Sequence, residues 1–214
     1  MKWLFLILIL LLAAIGVTWW VKYSAKSPNK TVAIVKPGVK KNDHQQLLER
    51  LDIKADQAVV FCTKKKYNTN VCFLIDMKQP SGKKRFFIYD LNKRTIMYAG
   101  MVAHGSCNTS FLVDSKFDNT PGCGCSSIGK YKVGQKYNGQ LGTAYKLHGL
   151  DSSNANAFKR FVVLHAYQCV PDFETYPLPI CNSLGCPMVS HKFMEVLTSA
   201  IKDSKKPILL WVFK

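Results

Sequence analysis

Cys186 stands between Gly185 and Pro187 in the run Ser183-Leu184-Gly185-Cys186-Pro187-Met188-Val189-Ser190. Gly185 can adopt backbone angles closed to residues with a side chain, while Pro187 fixes its own φ and drives Cys186 out of the helical region. A thiol held extended between two such residues projects in one direction, with backbone N–H groups beside it. Attack on a carbonyl requires that arrangement, a thiolate on one side and oxyanion donors at about 3 Å on the other. The alternative is a turn that carries a buried or disulfide-bonded cysteine.

A thiol of ordinary pKa, about 8.5, is mostly protonated at neutral pH and needs a base. The chain has five histidines, His44, His104, His148, His165 and His191. His165 ends the run Phe161-Val162-Val163-Leu164, apolar and β-branched enough for a core strand that would hold an imidazole rigidly. It precedes Cys186 by 21 positions (186 − 165), enough for a loop that folds the thiol back onto it. His148, 38 positions before Cys186 (186 − 148), is the rival base, and His104 before Gly105 reads as a pocket-wall or structural residue. A purely structural histidine is the alternative for His165 as well. No carboxylate is evident as its partner, so a backbone carbonyl is expected to orient it.

Val163-Leu164-His165-Ala166, a loop, and then Ser183-Leu184-Gly185-Cys186 with Val189-Ser190 resemble the L,D-transpeptidase catalytic domain, in its branch with Gly-Cys-Pro at the nucleophile. Further pieces follow the same order upstream: Asp76 to Ser81 with Arg85, Val102-Ala103-His104-Gly105, Ser126-Ser127-Ile128-Gly129, Tyr137-Asn138-Gly139, and Leu147-His148-Gly149 with Asn154 and Arg160. The resemblance covers about residues 60–213. It implies an enzyme of peptidoglycan metabolism with Cys186 as nucleophile, His165 as base, and Ser183 and Gly185 shaping the site. His148, Arg160 and Tyr167 are its candidate substrate contacts. The implied substrate is a peptidoglycan stem tetrapeptide, cleaved between its third and fourth residues, with D-Ala released and the acyl group passed to an amine. Water as acceptor would make the protein an L,D-carboxypeptidase. A general cysteine peptidase and a non-catalytic cell-wall-binding module remain as alternatives. No cofactor and no metal are implied.

These residues need a scaffold. At 214 residues there is room for one domain with a proper core and a short extension. Residues 3–21 carry no charge and come close to the ~20 residues that span a bilayer as a helix. Trp19, Trp20 and Tyr23 suit an interfacial belt. No small-x-small cleavage pattern follows, which favours an uncleaved signal anchor over 1–23 rather than a signal peptide. Lys22, Lys26 and Lys30 after the span oppose export by the positive-inside rule, whereas the resemblance implies the extracytoplasmic, periplasmic face of the cell envelope. Residues 24–57 read as a basic tether ending in a short helix, from Asn42 to about Leu51. Residues 58–214 read as the catalytic domain.

Within that domain, strands are expected at 58–62, 71–76, 86–90, 95–100, 102–104, 129–133, 144–147, 161–165 and 209–213, with a hairpin at 91–94. Helices are expected near 153–160 and, capped by Ser190, at 190–202. The fold class is therefore mainly β, an L,D-transpeptidase-like β-sandwich or barrel with a few short peripheral helices.

Eight cysteines are present. With Cys186 free, seven remain, so at least one more is unpaired. Cys169 and Cys181 bracket the loop between His165 and Cys186, where a disulfide would rigidify the site. Cys123-Gly124-Cys125 is weak as a zinc signal without a second pair. The net charge of +17 favours anionic partners. Lys64-Lys65-Lys66 and Lys83-Lys84-Arg85 have no nucleic-acid motif around them, so cell wall and membrane surface are the expected partners, not nucleic acid. Oligomeric state is not legible.

Overall fold

The computed structural model describes residues 42–214. The apolar run at 3–21, read as an anchor, and the basic segment up to residue 41 lie outside them. Among the described residues no helix is long and apolar enough to cross a membrane.

Among the described residues nine strands carry the fold: β1 (Val71–Asp76), β2 (Phe86–Asp90), β3 (Thr95–Gly100), β4 (Val102–Ala103), β5 (Gly129–Gly139), β6 (Gly142–Gly149), β7 (Val163–Ala166), β8 (Met188–Val189) and β9 (Leu209–Phe213). They form one sheet in the order β3-β2-β1-β9-β5-β6-β7-β8-β4. The β1–β9 and β7–β8 pairs are parallel and the others antiparallel. β3 and β4 occupy opposite edges of this order, yet Met101 alone separates them in sequence. Consecutive Cα atoms lie about 3.8 Å apart, so that link draws the edges together and the sheet curls nearly closed. The mainly β, barrel-like expectation holds.

β1 shows why its sequence, Val-Cys-Phe-Leu-Ile-Asp, is apolar up to its last residue instead of alternating. Phe73 and Ile75 point into the barrel with Phe86, Ile88, Tyr131, Leu147, Leu164 and Leu210. Cys72 and Leu74 point outward, under the helix α1 (Asp43–Lys65) with Phe87, Tyr89 and Leu209. A strand covered on both faces loses its polar alternation.

α1 corrects the sequence reading twice. It runs for 23 residues, beyond the expected end at Leu51, and residues 58–62 are helix, not strand. Leu51, Ala55, Ala58 and Cys62 are all fully buried, and their spacing of four, three and four keeps one helical stripe against the sheet. The β-branched Val59 and Val60 suggested a strand, but Val60 faces solvent at 69% exposure. Packing of the stripe outweighs their propensity. Asn42 caps the helix: its Oδ1 accepts from the Gln45 N–H at 2.8 Å, and Gln45 Oε1 accepts from the Asn42 N–H at 3.3 Å.

A third correction falls at 153–160, where only a 3-10 turn forms, at Ser152–Asn154. Asn154 spends its side chain on the Asp151 N–H and the Lys130 carbonyl, at 2.9 and 2.8 Å, and Asp151 accepts from the Lys130 N–H at 2.7 Å. Short polar side chains that bond outside the helix stop it. The chain then passes through Phe161 at φ 55°, so β7 begins at Val163 instead of residue 161. The second helix, α2 (His191–Lys202), forms as expected, with Ser190 Oγ accepting from the Phe193 N–H at 3.2 Å. Phe193 packs edge-on against Phe86 and fills the space above Gly100, where a Cβ would lie 2.2 Å from its ring.

Candidate active site

Parallel pairing of β7 with β8 places the thiol near the imidazole. His165 stands opposite Met188 in register, and Cys186 lies two residues before Met188. The preceding segment is held on its other side. The Ser183 N–H donates to the His104 carbonyl and the Ser106 N–H donates to the Ser183 carbonyl, both at 2.8 Å. Ser183 Oγ accepts from the Gly185 N–H at 3.0 Å and so closes the turn before the thiol. Gly185 has φ 111°, and a Cβ there would sit 2.6 Å from the Cys125 carbonyl oxygen. Both the angle and the space require glycine.

Cys186 and His165 line one cleft of about 690 Å³, with Tyr167, Asn182, Ser183 and Leu184 beside them. Cys186 Sγ accepts from the Val163 N–H at 3.4 Å, and the thiol lies 3.7 Å from the Phe161 carbonyl. Burial pushes the thiol pKa up, while the Val163 N–H and the Arg160 guanidinium oppose that shift. The Ala166 carbonyl accepts from Nδ1–H of His165 at 3.0 Å. A carbonyl can only accept, so this bond leaves Nε2 as the basic nitrogen. Burial lowers the His165 pKa, partly offset by that carbonyl, and keeps the ring neutral. Among the described residues no hydrogen bond joins the imidazole to the sulfur. The pair is a neutral base and a thiol in one cleft.

The other expected site residues separate into groups. Ser183, Gly185 and Tyr167 accompany the pair. His148 stacks on Phe158 at 4.8 Å and does not line the cleft. Arg160 is engaged within the protein by four acceptors on the 118–127 segment. His104 is fully buried behind the cleft; its Nδ1 accepts from Arg85 Nη2 at 2.9 Å and its Nε2–H donates to the Leu112 carbonyl at 3.1 Å.

Cys169–Cys181 is a disulfide, spanning the loop between His165 and Cys186, and Cys107–Cys125 is a second. Cys62, Cys72, Cys123 and Cys186 are free thiols. Cys125 therefore cannot join Cys123 as a thiolate ligand.

Sequence reasoning missed Asn182, whose amide exchanges hydrogen bonds with the Leu112 backbone at 2.6 and 2.9 Å. It quoted Ser126 only as part of a motif and gave it no role; its Oγ accepts from the Gly105 N–H at 3.0 Å. Both fasten loops distant in sequence, and neither residue type signals that role by spacing.

Solved structures similar to this chain include an L,D-transpeptidase (residues 123–326) from Xylanimonas cellulosilytica, at 15% identity and TM-score 0.37, covering 67% of this chain and 60% of that one. A second is the K307A mutant of the helical cell shape determining protein Pgp2 from Campylobacter jejuni, at 14% identity and TM-score 0.46, covering 77% and 56%. This chain spans between 47% and 60% of the length of such structures. No curated protein matches it. A family model described as the L,D-transpeptidase catalytic domain matches residues 44–211, most of the chain and nearly all that the structure describes. The chain belongs to the L,D-transpeptidase catalytic-domain family.

Proposed function

We propose that this protein is a peptidoglycan L,D-transpeptidase with Cys186 as nucleophile and His165 as general base. The observation that carries the reading is the His165 ring, fixed through Nδ1 on the Ala166 carbonyl with Nε2 left basic, in the cleft that Cys186 lines. His165 Nε2 takes the thiol proton, and Sγ attacks the carbonyl between the third and fourth residues of a stem tetrapeptide. The tetrahedral oxyanion collapses, the C–N bond breaks, and His165 returns the proton to the departing D-Ala amine. The amine of a second stem then attacks the thioester, transfers its proton through His165, and restores the thiol. The Gly185 N–H is committed to Ser183 Oγ, so the Cys186 N–H is the donor assigned to the oxyanion.

Ser183 orders the turn and Tyr167 borders the bound stem. Residues 1–23 anchor the protein, with the catalytic domain on the extracytoplasmic face. The basic surface suits an anionic envelope.

The test is incubation of the full chain with a stem tetrapeptide, followed by mass spectrometry of protein and products beside Cys186→Ala and His165→Ala. A thioester on Cys186, released D-Ala and a dimeric peptide are expected. Release without dimer would make the protein an L,D-carboxypeptidase. No adduct and no release would sink the enzyme reading and leave a wall-binding module.

A further inference from the structure

Arg160 lies in the turn that leads into β7, and every acceptor its guanidinium engages belongs to the 118–127 segment. Nη1 donates to the Asp118 carbonyl at 2.9 Å and to Ser127 Oγ at 2.6 Å. Nη2 donates to the Cys125 carbonyl at 2.5 Å and to Cys123 Sγ at 3.2 Å. That same Cys125 oxygen presses on Gly185, and a Cβ on Gly185 would lie 3.1 Å from Nη2 itself. The guanidinium therefore sits directly behind the turn that presents the nucleophile. Its own turn also supplies both backbone groups that touch the sulfur, the Phe161 carbonyl and the Val163 N–H. With four donors committed, Arg160 is set in the wall of the site and is not arranged to clasp a substrate carboxylate.

We propose that Arg160 is a positioning residue that aims the nucleophile's turn and supplies a fixed counter-charge for the Cys186 thiolate, beside the imidazolium that His165 becomes only on taking the thiol proton. The other titratable groups around the sulfur leave that role to it. His165, on β7, is held neutral by burial and makes no hydrogen bond to Sγ among the described residues. Tyr131, on β5, is a neutral phenol that donates to the Ser127 carbonyl at 2.7 Å. The Asp118 carboxylate is turned to the Thr120 N–H and hydroxyl, both at 2.9 Å. Cys123 is itself a ligand of the guanidinium. Arg160 also acts on the Cys186 thiol in the direction that favours the thiolate, against burial.

The inference rests on Cys186 being the nucleophile, but its test reads the thiol directly and needs no stem peptide. The full chain, Arg160→Gln, Arg160→Lys and His165→Gln are treated with iodoacetamide across the pH range, with modification of the Cys186 peptide followed by mass spectrometry. Arg160→Gln is expected to slow Cys186 alkylation near neutral pH by about tenfold, the equivalent of one pKa unit, with its profile displaced to higher pH. Arg160→Lys keeps the charge and is expected to stay within about threefold of the parent. His165→Gln is expected to leave the midpoint in place. A parental profile in Arg160→Gln would overturn the proposal. So would a midpoint that moves in His165→Gln as far as in Arg160→Gln, or equal displacement in both arginine variants. Should Arg160→Gln lose its thermal transition, the Arg160→Lys and His165→Gln profiles still decide.

Discussion

His165 and Cys186 are displaced from their ordinary pKa values in opposite directions by one cause, burial of both in the same cleft. A neutral imidazole facing a neutral thiol is therefore the resting pair, and the pH profile follows from it. If His165 is the base, as proposed, its protonation stops the reaction, so kcat/KM should fall on an acid limb below the ordinary histidine value of about 6.5. No loss should appear through neutral pH, and any alkaline limb should lie above about 8.5, the ordinary thiol value. A kcat/KM profile on a stem tetrapeptide checks this; a decline between neutral pH and 8 would point instead to a preformed thiolate–imidazolium pair. His104 gives a second prediction, about stability. Burial and the adjoining Arg85 guanidinium push its pKa down to about 4. Above 6.5 the folded and unfolded chains both carry it neutral. As pH falls through 6.5 the unfolded chain binds a proton that the native site refuses, and the loss grows until about pH 4. The gap corresponds to on the order of 3 kcal/mol at one site. Denaturant midpoints measured from pH 7 to 4 should fall accordingly, and His104→Gln should flatten that slope even if it lowers the starting value.

At the scale of elements, α1 is fastened to the sheet by an ion pair as well as by its apolar stripe. Arg50 donates to Asp76 Oδ2 through Nε at 2.9 Å and Nη2 at 2.7 Å, and the Asp76 side chain is fully buried at the end of β1. Removing the arginine leaves the buried carboxylate with only the Lys78 N–H, at 3.0 Å, and the more remote charge of Arg85, a loss of up to about 3–5 kcal/mol. Arg50→Ala should lower stability in urea by that order, whereas Arg50→Ala with Asp76→Asn should recover part of it. The loop between β7 and β8 depends on Cys169–Cys181, whose closed loop, of about 13 residues, is worth roughly 3 kcal/mol in the chain-entropy account. Cys169→Ser with Cys181→Ser should therefore lower thermal stability and should reduce turnover further, since Tyr167, Asn182 and Ser183 ride on that loop. Of these elements, the sequence makes legible those whose local chemistry agrees with their packing. α2 has its Ser190 cap and one apolar face. The β2–β3 hairpin turns where Asp90 Oδ1 accepts from the Asn92 and Lys93 N–H groups. His165 and Cys186 stood out because a glycine, a proline and a strand end leave local marks. Residues 58–62 misled because Val59 and Val60 follow β propensity while a stripe set by α1 as a whole decides their structure. Arg160 and Asn182 were obscure in role because their partners lie between 33 and 70 positions away, and no local pattern carries that pairing.

For the whole molecule, the decisive strand is the last one made. β9 lies between β1, which it pairs in parallel, and β5, which it pairs antiparallel. In the sheet order it joins β3-β2-β1, which carry α1, to β5-β6-β7-β8-β4, which carry the cleft. Leu209 and Leu210 are fully buried on opposite faces, one in the core under α1 and the other inside the barrel. Without β9, β1 and β5 would each present an unpaired edge, and both cores would open to water. Each buried side chain of this size is worth about 1.5–3 kcal/mol, so losing Leu209, Leu210, Val212 and Phe213 together removes about 6–12 kcal/mol, comparable with the 5–15 kcal/mol that holds a domain together. The two halves of the sheet therefore cannot complete one cooperative fold until the C-terminal strand arrives. A chain ending at Pro207 should show no cooperative urea transition and should bind hydrophobic dye, and a synthetic peptide covering 208–214, added in excess, should restore part of the transition. A cooperative transition in the truncated chain alone would mean that β1 and β5 find another partner, and that the sheet order does not dictate how the molecule folds.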